Sequence, residues 1–251
     1  MKSSELKAIL EATDVAALPE VIKTYRGEET KTIQNLLDKY QKVYDKYEAE
    51  LLRLKLMRSY EDKYPEEFYI GGVDEAGRGP YAGPVVAACV ILPRDCDILY
   101  LNDSKKLSEA RREELYDVIM EKAISVGVGI VGNEVIDDVN ILQADYIAIR
   151  EAISKLSVKP DVLLNDALII PGVEIPQVSI VHGDAKSVSI AAASVIAKVT
   201  RDRLMYMYDE LYPEYGFAKN KGYGTRDHEQ AITEHGICPI HRKSFLSKFG
   251  V

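Results

Sequence analysis

The chain has 251 residues, of which 47% are apolar and 29% charged, with a formal net charge of −8. The length suits one medium domain plus an appendage or two small domains, and the composition is that of a globular protein and excludes a disordered or fibrous chain; no run of ~18 apolar residues is present to cross a membrane, and Met1–Glu5 is polar where a signal peptide would be apolar. Cys89, Cys96 and Cys238 are odd in number and scattered, which argues for a reducing cytoplasm and against disulfides or a thiolate zinc cage.

Ser3–Ala12 and Glu28–Tyr60 have helical patterns, nearly free of glycine, with Pro19 and Gly27 as the punctuation between them. Ile33, Leu36, Leu37, Tyr40, Val43, Tyr44, Tyr47, Leu51 and Leu54 recur at three- and four-residue spacing, which makes one apolar face on a long helix. We expect residues 1–66 to form a helical N-terminal extension and residues 67–251 the main domain, ending in a helical segment. From Phe68 the composition shifts to Gly, Val and Ile. Phe68–Asp74 and Pro84–Leu92 read as strands joined by a Gly-rich turn, Ser104–Ala123 as an amphipathic helix capped by Asp103 or Ser104, and Ile124–Val131 as a third strand. A helix over Asn140–Leu156, strands over Val162–Asn165 and Val178–His182, and a long helix over Ser187–Leu211 follow. The small apolar first half of that last helix suits tight packing on a sheet. Three strands in series and then helix–strand alternation predict an α/β fold with a mixed sheet.

The charge is unevenly spread. Residues 1–70 carry 12 cations against 14 anions, residues 71–179 carry 10 against 18, and residues 180–251 carry 10 against 8. Only the last third is net basic, and divalent cations on the acidic middle would neutralise part of it, so the global charge does not exclude a nucleic-acid partner.

Acidic residues inside apolar strands are costly unless paired or metal-bound. Asp74 and Glu75 end the first strand, Asp166 the fourth, and Asp184 follows the fifth just before a helix. With those strands adjacent, the four would converge. An all-oxygen set of this kind favours Mg²⁺ or Mn²⁺ over zinc, and four carboxylates suffice for two ions ~3.5–4 Å apart, an arrangement that hydrolyses phosphodiesters. Gly77-Arg78-Gly79-Pro80 follows directly; its glycines permit close backbone approach and Arg78 adds a fork suited to phosphate.

The string Gly72-Val73-Asp74-Glu75-Ala76-Gly77-Arg78-Gly79-Pro80 resembles the signature of ribonuclease HII, the bacterial type 2 ribonuclease H. So do Asn102–Leu107, Gly183–Lys186 with Ser189–Asp202, and Asn220-Lys221-Gly222-Tyr223-Gly224-Thr225, in the family's order. The resemblance implies the ribonuclease H-like α/β fold, a mixed β-sheet flanked by helices, here with an N-terminal helical extension found in only some bacterial members. It also implies a Mg²⁺- or Mn²⁺-dependent endoribonuclease with a two-ion site. Such an enzyme cuts the RNA strand of RNA–DNA hybrids and nicks 5′ of ribonucleotides embedded in duplex DNA, leaving 3′-hydroxyl and 5′-phosphate ends. By the same resemblance Asp74, Glu75, Asp166 and Asp184 are the catalytic metal ligands. Gly77, Arg78 and Gly79 sense the ribonucleotide 2′-hydroxyl, and Tyr223 stacks beside the following deoxyribose. Lys105, Lys186 and Ser187 are placed for phosphate contacts. Family members often have Gly where this chain has Ala167.

The sister family, ribonuclease HIII, tends to carry Ser and an acidic residue near Ala76 and Pro80, so this chain's string favours HII. The rival readings are an HIII-like activity on longer hybrids only, and a non-catalytic hybrid-binding module. His235-Gly-Ile-Cys238-Pro-Ile-His241 has ligand-like spacing without a fourth ligand, and we expect it at the surface near the duplex with Arg242 and Lys243. The expected partners are RNA–DNA hybrid and ribonucleotide-containing duplex DNA, with no membrane and no obligatory protein partner.

Overall fold

Apolar side chains at helical spacing organise the N-terminal part of the chain. The structure, a computed structural model, describes residues 2–27 and 30–250. They group into two units, Met1–Leu56 and Met57–Val251. In the first unit, α1 (Ser3–Ala12), α2 (Leu18–Tyr25) and α3 (Lys31–Met57) bury Leu6, Leu10, Leu18, Ile22, Ile33 and Leu37 together. Helix α2 was not foreseen, because Pro19 reads as a breaker; it stands in the first turn, where a helix has no N–H to lose. The expected helix start at Glu28 lies outside the described residues.

The second unit is built on β1 (Ile70–Ala76), β2 (Val85–Ile91), α4 (Glu109–Lys122), β3 (Ser125–Val131), α5 (Asn133–Val139), α6 (Ile141–Ser154), β4 (Val162–Asp166), β5 (Gln177–Ile180) and α7 (Val188–Leu211). It ends with α8 (Phe217–Asn220) and α9 (Arg226–His235). The sheet order is β3-β2-β1-β4-β5. β1, β2 and β3 pair antiparallel, whereas β4 runs parallel to both β1 and β5, so the sheet is mixed as expected. Helix α4 begins later than predicted: Asp103 caps a separate 3-10 turn over Ser104–Lys106, and Ser108 caps the helix proper by accepting from the Arg111 amide. Strand β5 also stops at Ile180, two residues earlier than read.

Missing side chains let the helices approach both faces of the sheet. A Cβ on Gly72 would stand 2.0 Å from the Ser189 carbonyl carbon, so α7 lies directly on the β1 backbone. On the opposite face, Cβ atoms at Gly127 and Gly129 would meet the Ala152 and Ala148 carbonyl oxygens of α6 at 2.0 and 1.9 Å. Among the described residues no helix is long and apolar enough to cross a membrane.

Candidate active site

The pleat decides where the acids point. Successive side chains of a strand face opposite sides, so Asp74 lies on the α7 face of β1 and Glu75 on the α6 face. The parallel register pairs Val73 with Asn165, which puts Asp166 one residue beyond the last rung, on the same face as Asp74. Asp166 also ends the β4–β5 ladder opposite Ile180, and its Oδ1 accepts from the Gly183 amide at 2.8 Å. That bond fixes the 3-10 turn Gly183–Ala185 carrying Asp184 beside it. The residue after Asp166, Ala167, has φ 56°, in the left-handed region that favours glycine. The turn therefore gives a physical reason for a glycine at this position.

The acids feel one another. Asp74 is pushed well above the usual carboxylate range, by burial first and then by Glu75, with Asp166 adding to the effect and the Ser194 hydroxyl opposing it. Burial also raises Glu75, against the pull of Arg78 and with a further push from Asp166. Asp184 is raised by burial, Asp103 and Asp166, while Lys105 opposes. Burial works against the Lys105 charge, but the fields of Asp74, Asp103, Asp184 and Asp166 overcome it and raise that pKa. Among the described residues no three His, Cys, Asp or Glu side chains form a ready ligand cage. Glu75 is turned toward Arg78, 3.5 Å away, on the other face from Asp74 and Asp166. The donor set still fits a hard divalent cation, because a +2 charge among these oxygens relieves the repulsion that raises Asp74, Glu75 and Asp184.

Next to the acids lies a cleft of about 220 Å³ lined in part by Glu75, Gly77, Arg78, Lys105, Ser194 and Tyr223. Asp74, Asp166 and Asp184 are not part of its lining. Gly79 and Tyr223 face each other across it: a Cβ on Gly79 would lie 3.9 Å from Tyr223 Cε1. The Tyr223 ring is exposed. Lys105 is thus brought to the cluster. Ser187 is not. Lys186 Nζ donates to its own turn at Val181 O, 2.7 Å. Ser187 is fully buried, donating from Oγ to Glu61 at 2.5 Å and accepting from the Ile190 amide as the α7 cap. A hydroxyl so used has no access to a phosphate.

Cys238, His241 and Arg242, expected at the surface, are instead buried. His241 Nε2 lies 3.0 Å from His228 Nε2, and the Arg242 guanidinium donates to the Gly77, Arg78 and Gly83 carbonyls. Their polar appearance in sequence hid a role inside the fold. Sequence reasoning also missed Asp145, fully buried on α6, 3.7 Å from Arg78, and pushed up to about 8 by burial and by Glu75 against the pull of Arg78. The signal was available: Ile141, Ala144, Ala148, Ile149 and Ala152 form one apolar stripe, and Asp145 interrupts it.

The family model described as Ribonuclease HII matches residues 71–248, and that described as Ribonuclease HII N-terminal domain matches residues 4–65. A ribonuclease HII of Lachnoclostridium phytofermentans is 56% identical over 246 residues, covering 98% of this chain and 97% of its own. One of Clostridioides difficile is 53% identical over 244 residues, covering 96% of each. Among solved structures, the ribonuclease H2 of Pyrococcus horikoshii OT3 superposes with a TM-score of 0.59 at 28% identity, over 72% of this chain and 95% of that one.

Proposed function

The chain belongs to the ribonuclease HII family, and from that we propose an endoribonuclease that uses divalent cations to nick duplex DNA 5′ of an embedded ribonucleotide, besides cutting the RNA strand of hybrids. The observation that carries the finer reading is one cleft, beside the acidic cluster, lined by Glu75, Lys105, the Gly77–Gly79 loop and the exposed Tyr223 ring.

In this reading Asp74, Glu75, Asp166 and Asp184 hold Mg²⁺ or Mn²⁺. Bound there, two such ions would supply Lewis acidity for the hydrolysis of a phosphodiester. The protein's own residues do the selecting. The Ser194 hydroxyl steadies the ionised form of Asp74, and the Gly183 amide holds Asp166 Oδ1 in place. The backbone of Gly77–Gly79 has no Cβ at its two glycines and so admits a ribose edge closely, where a 2′-hydroxyl can hydrogen-bond. Tyr223 offers a flat face for the adjoining sugar, and Lys105 offers a cation for the phosphate between them. The N-terminal helices carry no acidic cluster of this kind, and we assign them to substrate binding or support, not chemistry.

The test is a duplex carrying one ribonucleotide, incubated with the protein in Mg²⁺, in Mn²⁺ and in chelator. Cleavage in either metal, with a 3′-hydroxyl and a 5′-phosphate, is the expected result. Cleavage that persists in chelator, or products ending in a 2′,3′-cyclic phosphate, would overturn the reading.

A further inference from the structure

Arg201 stands on α7, 1% exposed, and among the described residues no carboxylate lies within ion-pair distance of it. A buried guanidinium with no anionic partner is expensive unless its donors are otherwise satisfied. Here all three of its nitrogens find main-chain carbonyls. Nε donates to Pro84 O at 2.9 Å, Nη2 to Ala82 O at 3.1 Å and Nη1 to Lys221 O at 2.9 Å. The first two acceptors belong to the segment that continues the Gly77–Gly79 loop; the third belongs to the turn that carries Tyr223. Gly77, at φ 97°, leaves room for the same side chain, since a Cβ there would lie 2.1 Å from Arg201 Nε.

Arg242 provides the contrast. Its three side-chain nitrogens also end on carbonyls, but all three acceptors, Gly77, Arg78 and Gly83, lie in one loop. Arg201 alone of the two spans both. Main-chain bonds reinforce the junction: Gly222 O accepts from the Tyr81 and Ala82 amides at 2.8 and 3.3 Å. On its far side the Tyr223 carbonyl accepts from the Thr225 amide at 2.8 Å and lies 2.9 Å from His228 Nδ1. Thus each carbonyl from Lys221 to Tyr223 is engaged, and the tyrosine ring projects from a turn with little freedom of its own.

We propose that Arg201 is a positioning residue which locks the Tyr223 turn to the Gly77–Pro84 loop, so that ribose sensing and sugar stacking are read together as one junction. This rests on the roles proposed above for Gly77–Gly79 and Tyr223. The chemistry explains why the residue is arginine: a lysine has one nitrogen at one point and cannot reach three carbonyls in a plane. Losing Arg201 would leave the metal ligands in place and loosen the distance between the two reading elements. The burden therefore falls on selectivity for a single embedded ribonucleotide, and less on cleavage of a continuous hybrid, where neighbouring ribose units compensate.

The experiment is a double-mutant cycle on the full chain with Arg201→Lys, Tyr223→Ala and the pair, measuring kcat/KM on a single-ribonucleotide duplex and on a long hybrid. Arg201→Lys should lower kcat/KM on the first substrate by about tenfold, the equivalent of one or two net hydrogen bonds, and change the second much less. On the single-ribonucleotide duplex the double variant should be no worse than Tyr223→Ala alone, because the arginine acts through the tyrosine. The chain contains no tryptophan, so a Tyr223→Trp variant gives a single reporter whose fluorescence anisotropy should fall when Arg201→Lys is added. Additive losses in the cycle, equal losses on both substrates, or unchanged anisotropy would overturn the proposal. Should Arg201→Lys fail to fold by circular dichroism, Arg201→Gln carries the same measurements without burying an ammonium. If Tyr223→Ala alone leaves the substrate preference intact, the stacking role itself falls, and this is visible in the single variant before Arg201 is considered.

Discussion

Replacing Asp145 by asparagine should stabilise the protein, and by more as the pH rises. Asp145 is fully buried, and neither carboxyl oxygen has a hydrogen-bond partner among the described residues. Burial and the Glu75 charge push its pKa from 3.8 to about 8, and Arg78, 3.7 Å away, only partly opposes them. Between those two values the unfolded chain has released a proton that the native carboxyl still holds. The unfolded state therefore binds fewer protons, and stability declines with rising pH by about 1.4 kcal/mol per pH unit. From pH 5 to pH 7 the loss amounts to about 3 kcal/mol, and asparagine, which does not titrate, escapes it. For a unit of this size the gap corresponds to about 6–12 °C in Tm. Thermal or urea unfolding of both proteins in chelator, at half-unit steps from pH 5 to pH 8, measures it directly. Glu75, also raised by burial, titrates in both proteins, so the difference between the curves is the quantity to compare. Parallel curves would show that Asp145 ionises normally, and would refute the claim that burial without a hydrogen-bond partner holds its proton.

Asp74→Asn keeps the side-chain volume and removes a charge from the acidic cluster; cleavage should vanish while circular dichroism and duplex binding persist, and retention of more than a few per cent of turnover in saturating Mg²⁺ would count against the assignment. Because Asp74, Glu75 and Asp184 are all raised, they hold protons as the pH falls and activity should drop on the acid side; added Mg²⁺ competes with those protons and should move the acid limb to lower pH, whereas a limb indifferent to metal concentration would contradict the ligand roles. Truncation should show where the N-terminal extension stops being dispensable. Glu61 is buried and accepts from Ser187 Oγ and from the Ser189 amide at 3.1 Å. A chain starting at Met57 should therefore melt higher than one starting at Glu67, by the equivalent of about 1–3 kcal/mol for the orphaned donors. In the longer of the two, KM should rise more than kcat falls. Equal melting points would show that Glu61 contributes nothing to α7.

What could be read without coordinates, and what could not, follows from the kind of signal each residue leaves. The strands were legible because Val85–Ile91 and Val162–Leu164 are continuous apolar runs, and Gly127 and Gly129 alternate with valines at the period of a sheet. Helix α5 was missed because its seven residues before Asn140 are too few to show a helical period. The carboxylates stood out because an acid at the end of an apolar strand announces its own cost. Asp103 did not, although it raises Asp184 from 81 positions away in the chain, because it sits in a polar turn where an aspartate is ordinary. The two arginines mark the deeper limit. An acid bound for a metal site needs other acids, and those are visible as letters; a buried guanidinium can be satisfied wholly by main-chain carbonyls, as Arg201 and Arg242 are. A carbonyl belongs to every residue and so leaves no trace of itself in the sequence. Cations that organise backbone therefore look the same on the page as cations that face water, and only the fold separates them: Arg242 turned out buried, while Lys243 beside it is exposed.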